Sequence, residues 1–249
     1  CLFLIFGCTV QHNRIKIHYL GHSAFYISFG GEVSVLTDYG QENAYLAWGW
    51  DSPIYDAGFR SPDLLTYSHH HDDHYDTARA AVFNADIIEE EVDLAYHTLH
   101  IQGIPSSEKQ VNIYDNISYL FTFRDLRVLH LGDCQADIIQ IDDPQYAEHI
   151  RQRFPLHCDI VFLPIEGTSQ YISQAAEIVR ILQPRVVIPM HYWSDEYKRE
   201  FIDHMINTYP EDDEIINVIR CEGPEYVYRR KRRNTDLQIL DMQPAARVP

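Results

Sequence analysis

Tyr67-Ser68-His69-His70-His71-Asp72-Asp73-His74 decides how this chain is read, because His69, His71, Asp73 and His74 form a His-x-His-x-Asp-His pattern. The apolar run Leu64-Leu65-Thr66-Tyr67 before it predicts a short buried strand that delivers the histidines onto the loop at its end. In extended backbone His69 and His71 leave the same face and can grip one ion. Asp73 and His74, on the turn that follows, can reach a second. Neutral imidazole with a hard carboxylate suits zinc, manganese or iron. A solvated His/Asp loop has the same composition, so the rest of the chain must decide.

Outward from this stretch, metal-binding side chains recur at predicted strand ends. Residues 14–27 alternate, and Gly30-Gly31 turns them into Val33-Ser34-Val35-Leu36-Thr37, which ends on Asp38. Residues 41–61 lack periodicity but hold Tyr45, Trp48, Trp50, Tyr55 and Phe59, and read as a long functional loop. Asp76 caps a predicted helix after the histidines. Strands are expected over 87–100, 117–123 and 126–131, the last running into Gly132-Asp133. Helices are expected over 144–154, 173–182 and 194–209, and buried strands over 159–164 and 185–189, the second ending at His191. Residues 215–219 and 226–228 complete a sheet edge. Packed sheets with helices on both outer faces fit this order.

The 249 residues suit one large domain, and no Gly/Ser- or Pro-rich linker divides them. A net charge of -17 opposes a polyanionic partner, so nucleic acid is not expected and a small-molecule substrate is. Arg229-Arg230-Lys231-Arg232-Arg233 reads as part of a solvated basic tail, residues 229–249. The five cysteines form no Cys-x-x-Cys pair, which excludes a cysteine-rich structural metal site. Cys134, Cys158 and Cys221 read as packed residues. Ile5-Phe6-Gly7-Cys8, in the apolar opening of residues 1–13, resembles a lipobox. A lipidated Cys8 would anchor the protein in the cell envelope; an ordinary first strand and a cytoplasmic protein are the alternative.

Gly21-His22-Ser23, Ser68 to His74, His130-Leu131-Gly132-Asp133 and Ile188-Pro189-Met190-His191-Tyr192 together resemble the metallo-β-lactamase superfamily. Within it they are similar to the metallo-hydrolases related to ascorbate-6-phosphate lactonases. The resemblance implies a four-layer αββα sandwich over residues 14–228 and two divalent ions, zinc first, with manganese or iron as alternatives. It assigns His69, His71 and His100 to one ion and Asp73, His74 and His191 to the other, with Asp133 bridging. His97 competes with His100 for the third-motif position, and the strand alternation favours His100. Asp38 is implied as the partner that orients a ligand histidine. His70 and Asp72 occupy variable positions; His22 and His130 read as core histidines or as ligand partners. Tyr39, Trp48, Trp50, Tyr171 and Trp193 are either core or pocket aromatics.

The implied reaction is hydrolysis of a lactone, thioester, amide or phosphoester, with Asp73 orienting the water or taking its proton. Iron-dependent oxidoreductases such as sulfur dioxygenases share the fold and form the alternative, and a non-catalytic metal-binding protein is a third class.

Overall fold

The computed structural model describes residues 14–47, 60–108, 113–134, 144–166, 169–208, 215–230 and 236–245. Two sheets form its centre. The first has the order β13-β1-β2-β3-β4-β5, built from β1 (Ile15–Gly21), β2 (Ala24–Phe29), β3 (Val33–Thr37), β4 (Leu64–Thr66), β5 (Asp86–Ile88) and β13 (Glu225–Tyr228). The second has the order β12-β14-β11-β10-β9-β8-β7-β6. Its strands are β6 (Val92–Tyr96), β7 (Leu99–Ser106), β8 (Asn116–Phe123), β9 (Leu126–His130), β10 (Ile160–Glu166), β11 (Val186–Tyr192), β12 (Ile216–Arg220) and β14 (Leu237–Asp241).

Aromatic side chains hold the sheets face to face. Phe25 of β2 meets Phe162 of β10 with ring centroids 4.4 Å apart, and Phe29 reaches Phe121 and Phe123 of β8 at 5.8 and 6.0 Å. Each of these rings is fully buried, which stabilises the fold by roughly 1.5–3 kcal/mol per side chain. Helix α3 (Pro144–Arg153) packs on α4 (Ser169–Leu182), and α4 and α5 (Asp195–Thr208) cover β10 and β11. In α4 the buried residues Ile172, Ala175, Ala176, Val179 and Leu182 recur at helical spacing, so one stripe faces the sheet. The shorter helices α1 (Glu42–Ala47) and α2 (Thr77–Ala80) flank the histidine loop, and Asp76 caps α2 by accepting the Arg79 N–H. The architecture is the expected αββα sandwich.

Three local expectations change. The alternating stretch 14–27 is two strands, broken where His22 takes a positive φ of 53° between Gly21 and Ser23. Residues 42–47 of the expected loop are helical. The reason is tertiary: the Gln41 N–H donates to the Asp72 carbonyl at 2.7 Å, and the buried Tyr45 hydroxyl donates to the Asp73 carbonyl. Trp48, Trp50, Tyr55 and Phe59 lie outside the described residues.

The third change is at the basic tail. Leu237–Asp241 pairs in parallel with both β12 and β11, inside the second sheet. Arg230 donates from Nε at 2.6 Å to buried Asp159, which also accepts from the Tyr228 hydroxyl at 2.9 Å and the Arg127 N–H at 2.9 Å. A buried carboxylate needs such partners, so the segment is part of the fold. Residues 1–13, with the lipobox-like stretch, lie outside the described residues.

Candidate metal centre

Parallel strands set their carboxyl ends along one edge of a sheet, where side chains from distant parts of a chain can meet. Here β3 and β4 run parallel in one sheet, and β9, β10 and β11 in the other. What lies at or just past their ends is Asp38, the 68–74 loop, Asp133, Glu166 and His191; the β1–β2 turn adds His22. His22, Asp38, Glu166 and His191 all have positive φ, between 40° and 53°. For residues with a Cβ this costs ~1–3 kcal/mol each and persists only where surroundings enforce it. Gly40 shows the enforcement: a Cβ there would stand 2.3 Å from the Asp73 carbonyl carbon, so only glycine lets α1 press against the histidine loop.

The side chains converge. Asp133 lies between the two halves, with Oδ2 3.4 Å from His69 Nε2 and 3.1 Å from His191 Nε2, and Oδ1 3.1 Å from His74 Nε2. Asp73 Oδ2 is 3.1 Å from His22 Nε2 and 3.6 Å from both His74 Nε2 and His191 Nε2. His69 Nε2 and His71 Nδ1 are 3.0 Å apart, and a carboxylate oxygen of Glu108 joins them within 4.8 Å.

The far nitrogens are held in turn. Ser68 donates its hydroxyl to Asp38 Oδ2 at 2.8 Å and so accepts from His69 Nδ1 at 3.0 Å. Asp38 Oδ2 also accepts a hydrogen bond from His74 Nδ1 at 3.0 Å, and Glu166 Oε1 lies 2.7 Å from His191 Nδ1. With Nδ1 protonated, neutral His69 and His74 present lone pairs on Nε2.

These residues fit a metal. His74 Nε2, His191 Nε2 and Asp133 Oδ1 are buried at hydrogen-bond separation, yet none finds an aligned hydrogen bond. Two ligands each ~2.1 Å from one ion stand ~3.0–3.4 Å apart, and the separations above match that spacing.

Charge follows burial and neighbours. Burial pushes His22 and His69 down to about 4, helped by His191 at His22 and by His74 at His69. Burial also opposes charge on His74, but Asp133 and Asp38 outweigh it and raise its pKa to about 10. The carboxyls of Asp133 and Asp73 are both held low despite burial: His191 and His74 act on the first, His191 and His22 on the second.

A pH dependence follows for the metal-free protein. His22 and His69, depressed to about 4, favour the folded state above the unfolded value of ~6.5, and that contribution is lost as pH falls toward 4. His74, raised to about 10, contributes fully below ~6.5 and loses that contribution as pH rises toward 10. Urea midpoints of chelator-treated protein should therefore fall on both sides of about pH 6.5. Added divalent metal should remove the alkaline decline, because the ion takes the place of the His74 proton.

Of the residues expected at the site, His69, His71, Asp73, His74, Asp133 and His191 are brought together, with Asp38 behind His74. His100 is not. It starts β7 with its side chain 45% exposed and Nε2 2.6 Å from Asp93 Oδ1. The alternation that buries Leu99 and Ile101 turns His100 outward, and the strand runs on to Ser106. At ~3.3 Å per residue His100 lies ~20 Å short of the end that reaches the site. His97, exposed on the β6–β7 turn against the Tyr96 ring, is no nearer the ligand group. Glu108, two residues past β7, occupies that place, a departure that a search for histidine passes over.

His22 and Glu166 also join the site. The signal for Glu166 was a charged residue closing the apolar run of β10, and for His22 a polar residue between two buried stretches. His130 is a core histidine, with Nε2 3.1 Å from the Ser23 carbonyl, and exposed His70 faces Glu89. Tyr39 is buried beneath the Arg79 guanidinium, whereas Tyr171 and Trp193 line a cleft of about 710 Å³ over the ligand group.

Comparison with known proteins agrees with this fold. The family model described as "Beta-lactamase superfamily domain" matches residues 16–191. A UPF0173 metal-dependent hydrolase of Pyrococcus horikoshii is 27% identical over 205 residues, 72% of this chain and 84% of that protein. A metallo-beta-lactamase superfamily protein from Thermotoga maritima superposes with a TM-score of 0.59 at 19% identity, covering 92% of this chain and 100% of that one. For a metallo hydrolase from Ignicoccus hospitalis the TM-score is 0.56 at 19% identity, covering 88% and 100%. With a family model spanning all the strand ends that build the ligand group, the chain belongs to the beta-lactamase superfamily, as a metallo-hydrolase of that family.

Proposed function

We propose that the cleft binds two divalent ions, zinc, manganese or iron, and hydrolyses a small uncharged acyl compound such as a lactone, thioester or amide. The observation that carries this reading is the pair of buried, unaligned Nε2 atoms of His74 and His191 on either side of Asp133, which also reaches His69. When bound, divalent ions supply acidity to a water and positive charge to a developing oxyanion.

The chain supplies the rest. Asp133, between the two ligand sets, can serve both. Asp73 is kept ionised by His191 and His22, so its carboxylate can accept a hydrogen bond from a water and orient it. The buried ring of His22, 3.1 Å from Asp73 Oδ2, fixes that carboxylate. Trp193 and Tyr171 offer apolar walls to a substrate.

The preference for an uncharged substrate rests on charge. Asp72, Asp73, Glu108, Asp133 and Glu166 line the cleft with five carboxylates, one negative charge more than two divalent ions balance. No Lys or Arg lies among the described residues lining the cleft. A phosphoester would meet little net attraction there.

The test pairs elemental analysis of the purified protein with a screen of neutral lactones, thioesters and amides against phosphomono- and diesters. Two equivalents of metal and chelator-sensitive acyl hydrolysis are expected. Faster phosphoester hydrolysis would overturn the substrate class, and iron with oxygen consumption would favour the oxidoreductase alternative.

A further inference from the structure

We propose that Glu108 is a metal ligand, completing with His69 and His71 a two-histidine, one-carboxylate set for one ion, and that it tilts this set toward harder ions. The inference rests on the two-ion reading above and adds which side chain closes the first set and what that does to metal choice. The β7 strand ends at Ser106, and the backbone beyond it turns Glu108 toward the histidine loop: its N–H donates to Asp115 Oδ1 at 2.8 Å. A carboxylate oxygen of Glu108 then lies within 4.8 Å of ligand atoms of both His69 and His71, and Glu108 lines the same cleft as His71, Asp73 and Asp133. Among the described residues no third imidazole joins His69 and His71 in such a group.

The chemistry of that replacement is specific. Imidazole suits zinc and copper, whereas carboxylate oxygen suits manganese and magnesium, and a two-histidine, one-carboxylate set accepts iron as well as zinc. Exchanging one neutral nitrogen for a charged oxygen should narrow the advantage that zinc holds over manganese. It also adds a negative charge to the lining of the cleft.

Full-length protein and the variants Glu108→Ala, Glu108→Gln and Glu108→His test this by metal titration. Bound zinc and manganese are measured by elemental analysis after equilibrium dialysis, and cobalt by its visible spectrum. Circular dichroism checks folding of each variant. Glu108→Ala and Glu108→Gln should bind one ion as the parent does and the other at least ~10- to 100-fold more weakly, the range reached by losing even an outer ligand partner. Glu108→His should restore tight zinc binding and raise the zinc-to-manganese affinity ratio severalfold above the parent value, with a changed cobalt spectrum.

Unchanged affinity for both ions in Glu108→Ala and Glu108→Gln would overturn the ligand role. A zinc-to-manganese ratio in Glu108→His equal to that of the parent would overturn the claim about selectivity. If the parent binds a single ion, the two-ion reading fails on its own; Glu108 then stands as a ligand if Glu108→Ala weakens that ion, and falls if it does not.

Discussion

Asp133→Ala should strip the protein of both metal and activity. The Asp133 carboxylate lies within 3.4 Å of His69, His74 and His191, so this one side chain reaches residues of both proposed ligand sets. Its loss also leaves the imidazoles of His74 and His191 buried without the charge that raises their proton affinity, a second destabilising effect. Metal content measured after dialysis should fall well below that of the parent. Hydrolysis should fall by more than the ~10²- to 10³-fold that loss of one oxyanion-stabilising donor costs. A variant that kept two equivalents of metal would show that Asp133 does not join the sets. Because the Asp133 N–H donates to the Asn116 side-chain carbonyl at 3.0 Å, the backbone should hold its place, and circular dichroism separates ligand loss from unfolding.

Asp73→Asn should separate metal binding from turnover. The amide keeps the shape and one oxygen, so the His69/His71 half should stay loaded, but it has neither the charge nor the basicity of the carboxylate. Turnover should drop ~10²- to 10⁴-fold, the span of a general-base contribution, with KM changed much less. His22 gives the result a second reading. In the parent its Nε2 faces the Asp73 carboxylate at 3.1 Å, and the amide can donate to or accept from the same nitrogen. Because His191 and His22 hold Asp73 ionised well below the usual carboxylate range, the turnover lost in Asp73→Asn should be lost evenly across neutral pH. Near-normal turnover with full metal content would remove Asp73 from the chemistry.

The architecture was legible because it depends on patterns local to each segment. Apolar runs of strand length, such as those of β10 and β11, can hardly be solvated, and their ends carry the residues that cannot be buried unpaired. His69, His71, Asp73 and His74 were legible for a sharper reason: four side chains of types that can bind metal lie within six residues, where chain geometry alone brings them close. Helix α1 was not legible, because six residues gain too little from their own hydrogen bonds to nucleate a helix. It forms against Asp72 and Asp73, distant in sequence.

What the amino-acid order determined by itself is the sandwich, the strand ends that face the cleft and the histidine loop at its centre. Tertiary structure alone decided which candidate for the third ligand position reaches the site. His97, His100 and Glu108 lie on or beside one long strand, and the sequence favours the histidines by residue type. Only the register of β7 against β6 and β8 fixes which end of that strand reaches the site, and it is the end carrying Glu108. The same holds for β14: a basic stretch followed by Leu237-Gln238-Ile239-Leu240 has no partner in its own neighbourhood. It becomes a strand because β11 and β12 leave it a ladder to fill, and because buried Asp159 needs the guanidinium of Arg230. Long-range pairing supplies the hydrogen bonds that make such segments ordered, and no local propensity encodes it.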